Sequence, residues 1–310
     1  VAQLGHAFKL QVRQAGDSGA EWRLLGSIDG GGTHLLDAVR AAFATLDYRI
    51  PVDGYDEPQS EVTFARDVPM DESDRVGAIL NHHRFGDRGV LNRVAAGDAV
   101  PFTEQDNQQV ELGALVLAAP TQRVGFLALQ SPNGRAAKRG VERELKRHLK
   151  EHYGLFLDVQ PVLPLQAVGA ALEAHGTGAI TFRKLNTPGG LFDNEADWWS
   201  DAGDVGEADL RLKPSRGIRF VGQRLLGFIK TRSGTLDQGE EPTSFQDLAT
   251  FDDKVFDEVT VEVNINGRAK TIYVTEDGYT MASAFSWDLE LASSPSDKAI
   301  MDALAEIAHP

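Results

Sequence analysis

The run Val110-Glu-Leu-Gly-Ala-Leu-Val-Leu-Ala-Ala119, then Pro120-Thr-Gln122, then Arg123-Val-Gly-Phe-Leu-Ala-Leu-Gln130, decides the fold class. Two apolar stretches of strand length, separated by three turn-forming residues, predict a buried strand pair. Toward the C-terminus, Ser131-Pro132 offers a cap and an opening for a helix running to about His152. Leu155 to Val162 reads as another strand, Leu165 to Ala174 as another helix, and Ala179 to Leu185 as a further strand. The order β-β-α-β-α-β over residues 110–186 predicts a mixed sheet with helices packed on a face, the α+β class.

Toward the N-terminus, His6 to Gln14 alternate as a strand does, and the glycine-rich loop 29–32 follows. Leu36, Val39, Ala42, Phe43 and Leu46 fall at helical spacing, with Thr33 as the expected N-cap and Asp37 in the first turn. Residues 48–105 carry turn formers and short alternating runs such as Glu61 to Ala65, a β-rich pattern. Beyond the central stretch, residues 187–217 hold Thr187-Pro-Gly-Gly190, the acidic stretch with Trp198 and Trp199, and Lys213-Pro-Ser-Arg-Gly217. This composition is that of a linker or a long loop. Ile218 to Ile229 fits helix and strand equally. Val259, Val261, Val263 and Ile265 alternate with polar residues up to Asn266-Gly267, and a second alternating run ends at Val274. Asn-Gly supplies the two positive-φ positions of a type I′ turn, so a hairpin is expected with Ile265, Val263, Val261 and Val259 facing Arg268, Lys270, Ile272 and Val274. A strand around Met281 to Leu289 and a helix from about Ser296 to Ile307 end the chain. The resulting division is an α/β-rich part over 1–109, a core over 110–186, a linker or loop over 187–217, and a hairpin-and-helix part over 218–310.

Composition narrows the chemistry. The apolar share of 42% and the charged share of 25% are those of a globular protein. With no cysteine, disulfides, thiolate metal sites and cysteine nucleophiles are excluded. No stretch approaches a membrane span, and Val1 to Phe8 lack the basic start and apolar run of a secretion signal, so a cytoplasmic location and no membrane partner are expected. The net charge of −15 is unevenly spread: residues 1–110 carry −7, 111–232 carry +4, and 233–310 carry −12. A field of that overall sign repels nucleic acid except where a local basic face overrides it. Only the middle third offers one.

That face lies on the helix at 136–152. Ala137, Val141, Leu145 and Leu149 form an apolar stripe, and Arg139, Arg143, Lys146, Arg147 and Lys150 fall within one arc on the opposite side. Five cations in a row suit a phosphate backbone; equally, Glu142, Glu144 and Glu151 stand at pairing distance and would make this an ordinary solvated face. Arg183, Lys184, Arg211, Lys213, Arg216 and Arg219 would add to the site if the fold brings them alongside. Gly140, beside the stripe, costs about 1 kcal/mol against Ala unless something packs closely there.

Catalytic candidates are sparser. His82, His83 and Asp87 form a polar cluster able in principle to bind a metal or exchange protons, but adjacent histidines on a strand point to opposite faces. Asp237 with Asp252-Asp253-Lys254 has the letters of a metal-dependent nuclease, and magnesium is expected only on that reading. Glu144-Leu-Lys146 matches the same tripeptide on a helix. His-Glu-x-x-His, Gly-x-Ser-x-Gly and the P-loop motif are absent.

Asp29-Gly-Gly-Gly-Thr33, after Leu24-Leu-Gly-Ser-Ile28, resembles the first phosphate loop of the sugar-kinase and actin-like ATPase superfamily. There, glycine N–H groups approach nucleotide phosphates and the Asp supports the metal. That family continues into a second strand, whereas Asp37 to Leu46 here is helical, and no second phosphate loop follows. The runs Phe256 to Val274 and Tyr153 to Pro164 are similar to stretches of uncharacterised bacterial proteins found with mobile-element or phage-defence systems. This resemblance carries no catalytic position. The basic middle third between acidic ends, with every catalytic motif incomplete, leads to the expectation of an accessory or binding component of a bacterial, antiviral assembly, contacting nucleic acid or a protein partner. A metal-dependent nuclease or phosphoester hydrolase is the alternative, and a nucleotide-dependent kinase of the actin-like type the second.

Overall fold

The computed structural model describes residues 3–17, 19–50, 60–84, 89–93, 98–102, 108–131, 137–162, 168–172, 177–187, 205–212, 219–233, 241–251, 254–265, 268–276, 278–281 and 284–308. They fall into two compact units, one of residues 1–160 with 286–309 and one of 161–285. The fold is α+β, as the central stretch predicts, but its sheets are antiparallel throughout and not mixed.

The first unit is built on a large curled sheet ordered β17-β1-β8-β7-β4-β3-β2. Its strands are β1 (Leu4–Gln14), β2 (Asp47–Ile50), β3 (Ser60–Val68), β4 (Arg75–Arg84), β7 (Gln108–Leu117), β8 (Gly125–Gln130) and β17 (Trp287–Asp288). β5 (Gly89–Arg93) and β6 (Asp98–Phe102) form a separate antiparallel ribbon. The expected pair is present as β7 and β8, with Ala114 opposite Leu129 and Leu117 opposite Phe126. β9 (Leu155–Pro161) returns to β1 instead of extending the β7–β8 pair. The β-β-α-β-α-β run therefore does not make one sheet, because its last strand joins the second unit.

Helices cover both faces of this sheet. α1 (Leu35–Ala44) buries Leu35, Leu36, Ala38, Val39, Ala42 and Phe43. Its N-cap is His34, whose Nδ1 accepts from the Leu36 N–H at 3.0 Å, and not Thr33, which is held within the preceding loop. α2 (Lys138–Tyr153) packs beside α1 with Val141, Leu145 and Leu149 almost wholly buried. It starts later than Ser131-Pro132 suggests. The Ser131 N–H is used by the Leu4 carbonyl at 2.7 Å, and the N-cap position Ala137 makes no side-chain cap. Gly154 ends α2 in the left-handed region, φ 65°, its N–H returning to the Leu149 and Lys150 carbonyls. α6 (Asp297–Ala308) covers the other face, burying Ile300, Met301, Leu304 and Ile307.

Gly140 meets the close neighbour its cost calls for. A Cβ there would lie 2.9 Å from Tyr48 Cδ1 and 3.0 Å from Val62 Cβ, so α2 rests directly on β2 and β3. Gly140→Ala is therefore expected to destabilise the protein by about 1–2 kcal/mol despite alanine's better helix propensity. A chemical denaturation midpoint that rises instead would show that the helix has room to move.

The second unit carries a five-stranded sheet ordered β11-β10-β14-β15-β16. These are β10 (Ile180–Thr187), β11 (Val205–Leu212), β14 (Glu258–Ile265), β15 (Arg268–Thr275) and β16 (Gly278–Met281). The hairpin register follows the sequence residue for residue: Ile265 pairs with Arg268, Val263 with Lys270, Val261 with Ile272 and Val259 with Val274. Lys270 sits on the apolar face because its ammonium donates to the Ala284 carbonyl at 2.8 Å. Residues 168–172 form a short helix, α3, inside the expected 165–174 span. The ambiguous stretch after 218 is helix α4 (Arg219–Ser233), which buries Leu225, Phe228 and Ile229. α5 (Phe245–Ala249) is closed by a capping box between Ser244 and Asp247. β12 (Thr250–Phe251) and β13 (Lys254–Val255) form a two-stranded ladder. The single strand expected over 281–289 is instead two: β16 belongs to this sheet and β17 to the first. Among the described residues no helix is long and apolar enough to cross a membrane.

Candidate anion-binding helix face

α2 presents its stripe inward and its cations outward. Arg139, Arg143, Arg147 and Lys150 are exposed, and Lys146 is half-buried. The helix's own acids claim two of the five. Lys146 Nζ lies 2.7 Å from Glu142 Oε1, and Lys138 Nζ lies 3.4 Å from Oε2 of the same carboxylate. Burial opposes the charge on Glu142, but the two lysines outweigh it and hold its carboxyl below the usual range. Arg147 is shared between Glu144 and Glu151, each at 2.5 Å, and these contacts raise its already high pKa further. Glu144 is buried, and its Oε1 also accepts from the Thr45 hydroxyl at 3.2 Å, so this network ties α2 to the end of α1.

Arg139, Arg143 and Lys150 remain. Among the described residues none of the three is paired with a carboxylate. Arg143 lies over the Tyr48 ring, 5.2 Å from its centroid, an arrangement that fixes the guanidinium without neutralising it. At 100° per residue the three fall within about 40° of one another, a straight ridge along the outer surface of the helix.

Three of the other cations are paired with carboxylates of their own. In the second unit, Arg183 pairs with Asp209 at 2.9 Å, Lys184 with Asp257 at 3.0 Å, and Arg211 with Glu262 at 3.0 Å. Lys213 and Arg216, and the side chain of Arg219, lie outside the described residues.

The two catalytic candidates among the described residues, His82 and His83, do not converge. His82 and His83 are on β4, with His82 opposite Val62 and Val110 and His83 opposite Glu61 and Gln109, so their rings occupy opposite faces. His82 is buried. Asp87, Asp237, Asp252 and the Trp198-Trp199 stretch lie outside the described residues, as does the side chain of Lys254. Among the described residues no three His, Asp or Glu side chains are grouped to hold a metal.

The glycine loop also has a local explanation. Asp29 accepts from the Thr33 hydroxyl at 2.5 Å, the Gly31 N–H at 2.8 Å and the Thr33 N–H at 3.1 Å. The Thr33 hydroxyl first, and the two N–H groups after it, bring the Asp29 pKa down to about 2. Gly30 and Gly32 take positive φ of 76° and 98° to close the loop. Leu24 to Ile28 form turns, not the strand a phosphate loop follows. The Asp that would support a metal is thus occupied in holding its own loop.

α2 also carries a histidine pair that none of these motifs includes. His148-Leu-Lys-Glu-His152 places two histidines one helical turn apart on α2, with a glutamate between them. Counting in steps of four along the helix finds them. No protein-family model matches the chain, and comparison with curated proteins finds no match either.

Proposed function

We propose that the protein is a non-catalytic, polyanion-binding component of a bacterial macromolecular assembly, using the outer ridge of α2 to contact nucleic acid. The observation that carries this reading is the unpaired, exposed row Arg139, Arg143 and Lys150 on an otherwise acidic molecule. Leaving three cations unneutralised in line, while neighbouring glutamates saturate Lys146 and Arg147, suits a linear array of phosphates. Three cations spaced along one helix face suit contacts to the phosphate backbone, so binding is expected to be weakly sequence-dependent.

The test is fluorescence anisotropy with labelled single-stranded DNA, duplex DNA and RNA at low salt. Combined reversal, Arg139→Glu, Arg143→Glu and Lys150→Glu, is expected to weaken binding by at least tenfold while leaving the fold intact, because all three residues are exposed and the one ring contact, of Arg143 with Tyr48, lies at the surface. Equal binding by the variant, or none by the wild type, would remove the reading.

A further inference from the structure

The rings of His148 and His152 lie with centroids 4.3 Å apart and planes tilted by 43°. Two imidazoles at this spacing on one helix face can direct a nitrogen each to a single ion. His148 is 7% exposed and held by packing, whereas His152 is open to solvent, so the pair reaches from the edge of the core to the surface. Tyr153 stands beside both, 6.1 and 6.4 Å away between ring centroids. Among the described residues neither imidazole is engaged in a hydrogen bond or ion pair.

We propose that His148 and His152 chelate one divalent transition-metal ion of the zinc, nickel or copper class, with water completing its coordination. Imidazole favours these ions over magnesium or calcium. The carboxylates nearby do not complete a hydrolytic centre. Glu151 is held by Arg147 at 2.5 Å, and Glu144 by Arg147 and the Thr45 hydroxyl. The site is therefore a two-ligand surface chelate, not a peptidase centre.

Calorimetric titration of the full chain, untagged and dialysed against chelator, tests this with zinc, nickel and magnesium chlorides. One equivalent of zinc or nickel should bind and raise the melting temperature, with no binding of magnesium. His152→Gln, at an exposed position that leaves packing unchanged, should lower the affinity at least tenfold, and His83→Gln should leave it unaltered. Absence of zinc and nickel binding, undiminished binding by the His152 variant, or loss in the His83 variant would overturn the proposal.

Discussion

Alanine at position 113 is expected to lower the free energy of unfolding by about 2 kcal/mol, against the direction of strand propensity. Glycine weakens a strand, so Gly→Ala alone should gain roughly 0.5–1 kcal/mol. At this position packing decides the sign. Gly113 on β7 forms part of the seat of α6, where a Cβ would overlap Ile300 Cγ2 and lie 3.1 Å from Leu304 Cδ1 and 3.3 Å from Met301 Cε. Gly77 and Gly5 extend the same seat, their added Cβ atoms meeting Met301 Sδ at 2.9 Å and Ile307 Cδ1 at 2.5 Å. The helix thus lies directly on the backbone of three strands, and an interior packed at crystal density has little room to yield. Ile300→Leu removes the γ2 methyl from the overlap, so the double variant should recover about 1 kcal/mol relative to additivity. Urea midpoints with unchanged slopes would measure both effects. Additive losses would place the strain elsewhere.

Replacing Arg66 by methionine is expected to destabilise the protein at pH 7, by an amount that shrinks as the pH falls below the ordinary carboxylate range and through the depressed values of Glu111 and Asp297. Arg66 on β3 makes paired hydrogen bonds of 2.8 and 2.9 Å to Glu111 on β7 and, with the same guanidinium, of 2.8 and 2.9 Å to Asp297 in the first turn of α6. Its hydrogen bonds are the main reason both carboxyls titrate below their ordinary values. A depressed carboxyl stabilises the fold fully above its unfolded pKa, and that contribution is lost as pH falls through the folded value. Without Arg66 the two carboxylates face each other uncompensated at neutral pH, and protonation relieves them. The gap between wild type and variant should therefore close on acidification. Because the three side chains are substantially exposed, the gap should also narrow in high salt. Melting curves from pH 3 to pH 8 would show this; a gap independent of pH would mean that Arg66 acts through packing alone.

Local pattern made some of this architecture legible and left the rest hidden. The β14–β15 register could be read because Asn266-Gly267 is a turn signal in the sequence and a slip of one residue would expose Val259, Val261, Val263 and Ile265 together. The buried side of α2 followed from the spacing of Val141, Leu145 and Leu149. Strand partners beyond the adjacent pairs β7–β8 and β14–β15 were not legible. The run from β8 through α2 to β9 suggests a crossover, yet β9 pairs with β1, far earlier in the chain, and nothing near residue 155 encodes that choice. The clamp at Arg66 joins residues 231 positions apart. On α2, helical geometry placed five cations in one arc but did not say which of them Glu142, Glu144 and Glu151 would claim. Thr45, from α1, is part of why Glu144 is fixed toward Arg147. The Asp29 loop was misleading for a related reason: Asp-Gly-Gly-Gly-Thr can cradle a phosphate or close on its own carboxylate, and here the Thr33 hydroxyl favours the second.

The salt dependence of duplex DNA binding tests the functional reading most directly. Three phosphate contacts should give a slope of log affinity against log salt of about −2.7, or roughly a fortyfold loss between 50 and 200 mM. Joint neutralisation, Arg139→Gln, Arg143→Gln and Lys150→Gln, should bring that slope close to zero. A wild-type slope near zero, or one that the triple variant reproduces, would mean that the ridge of α2 is not where the anion binds.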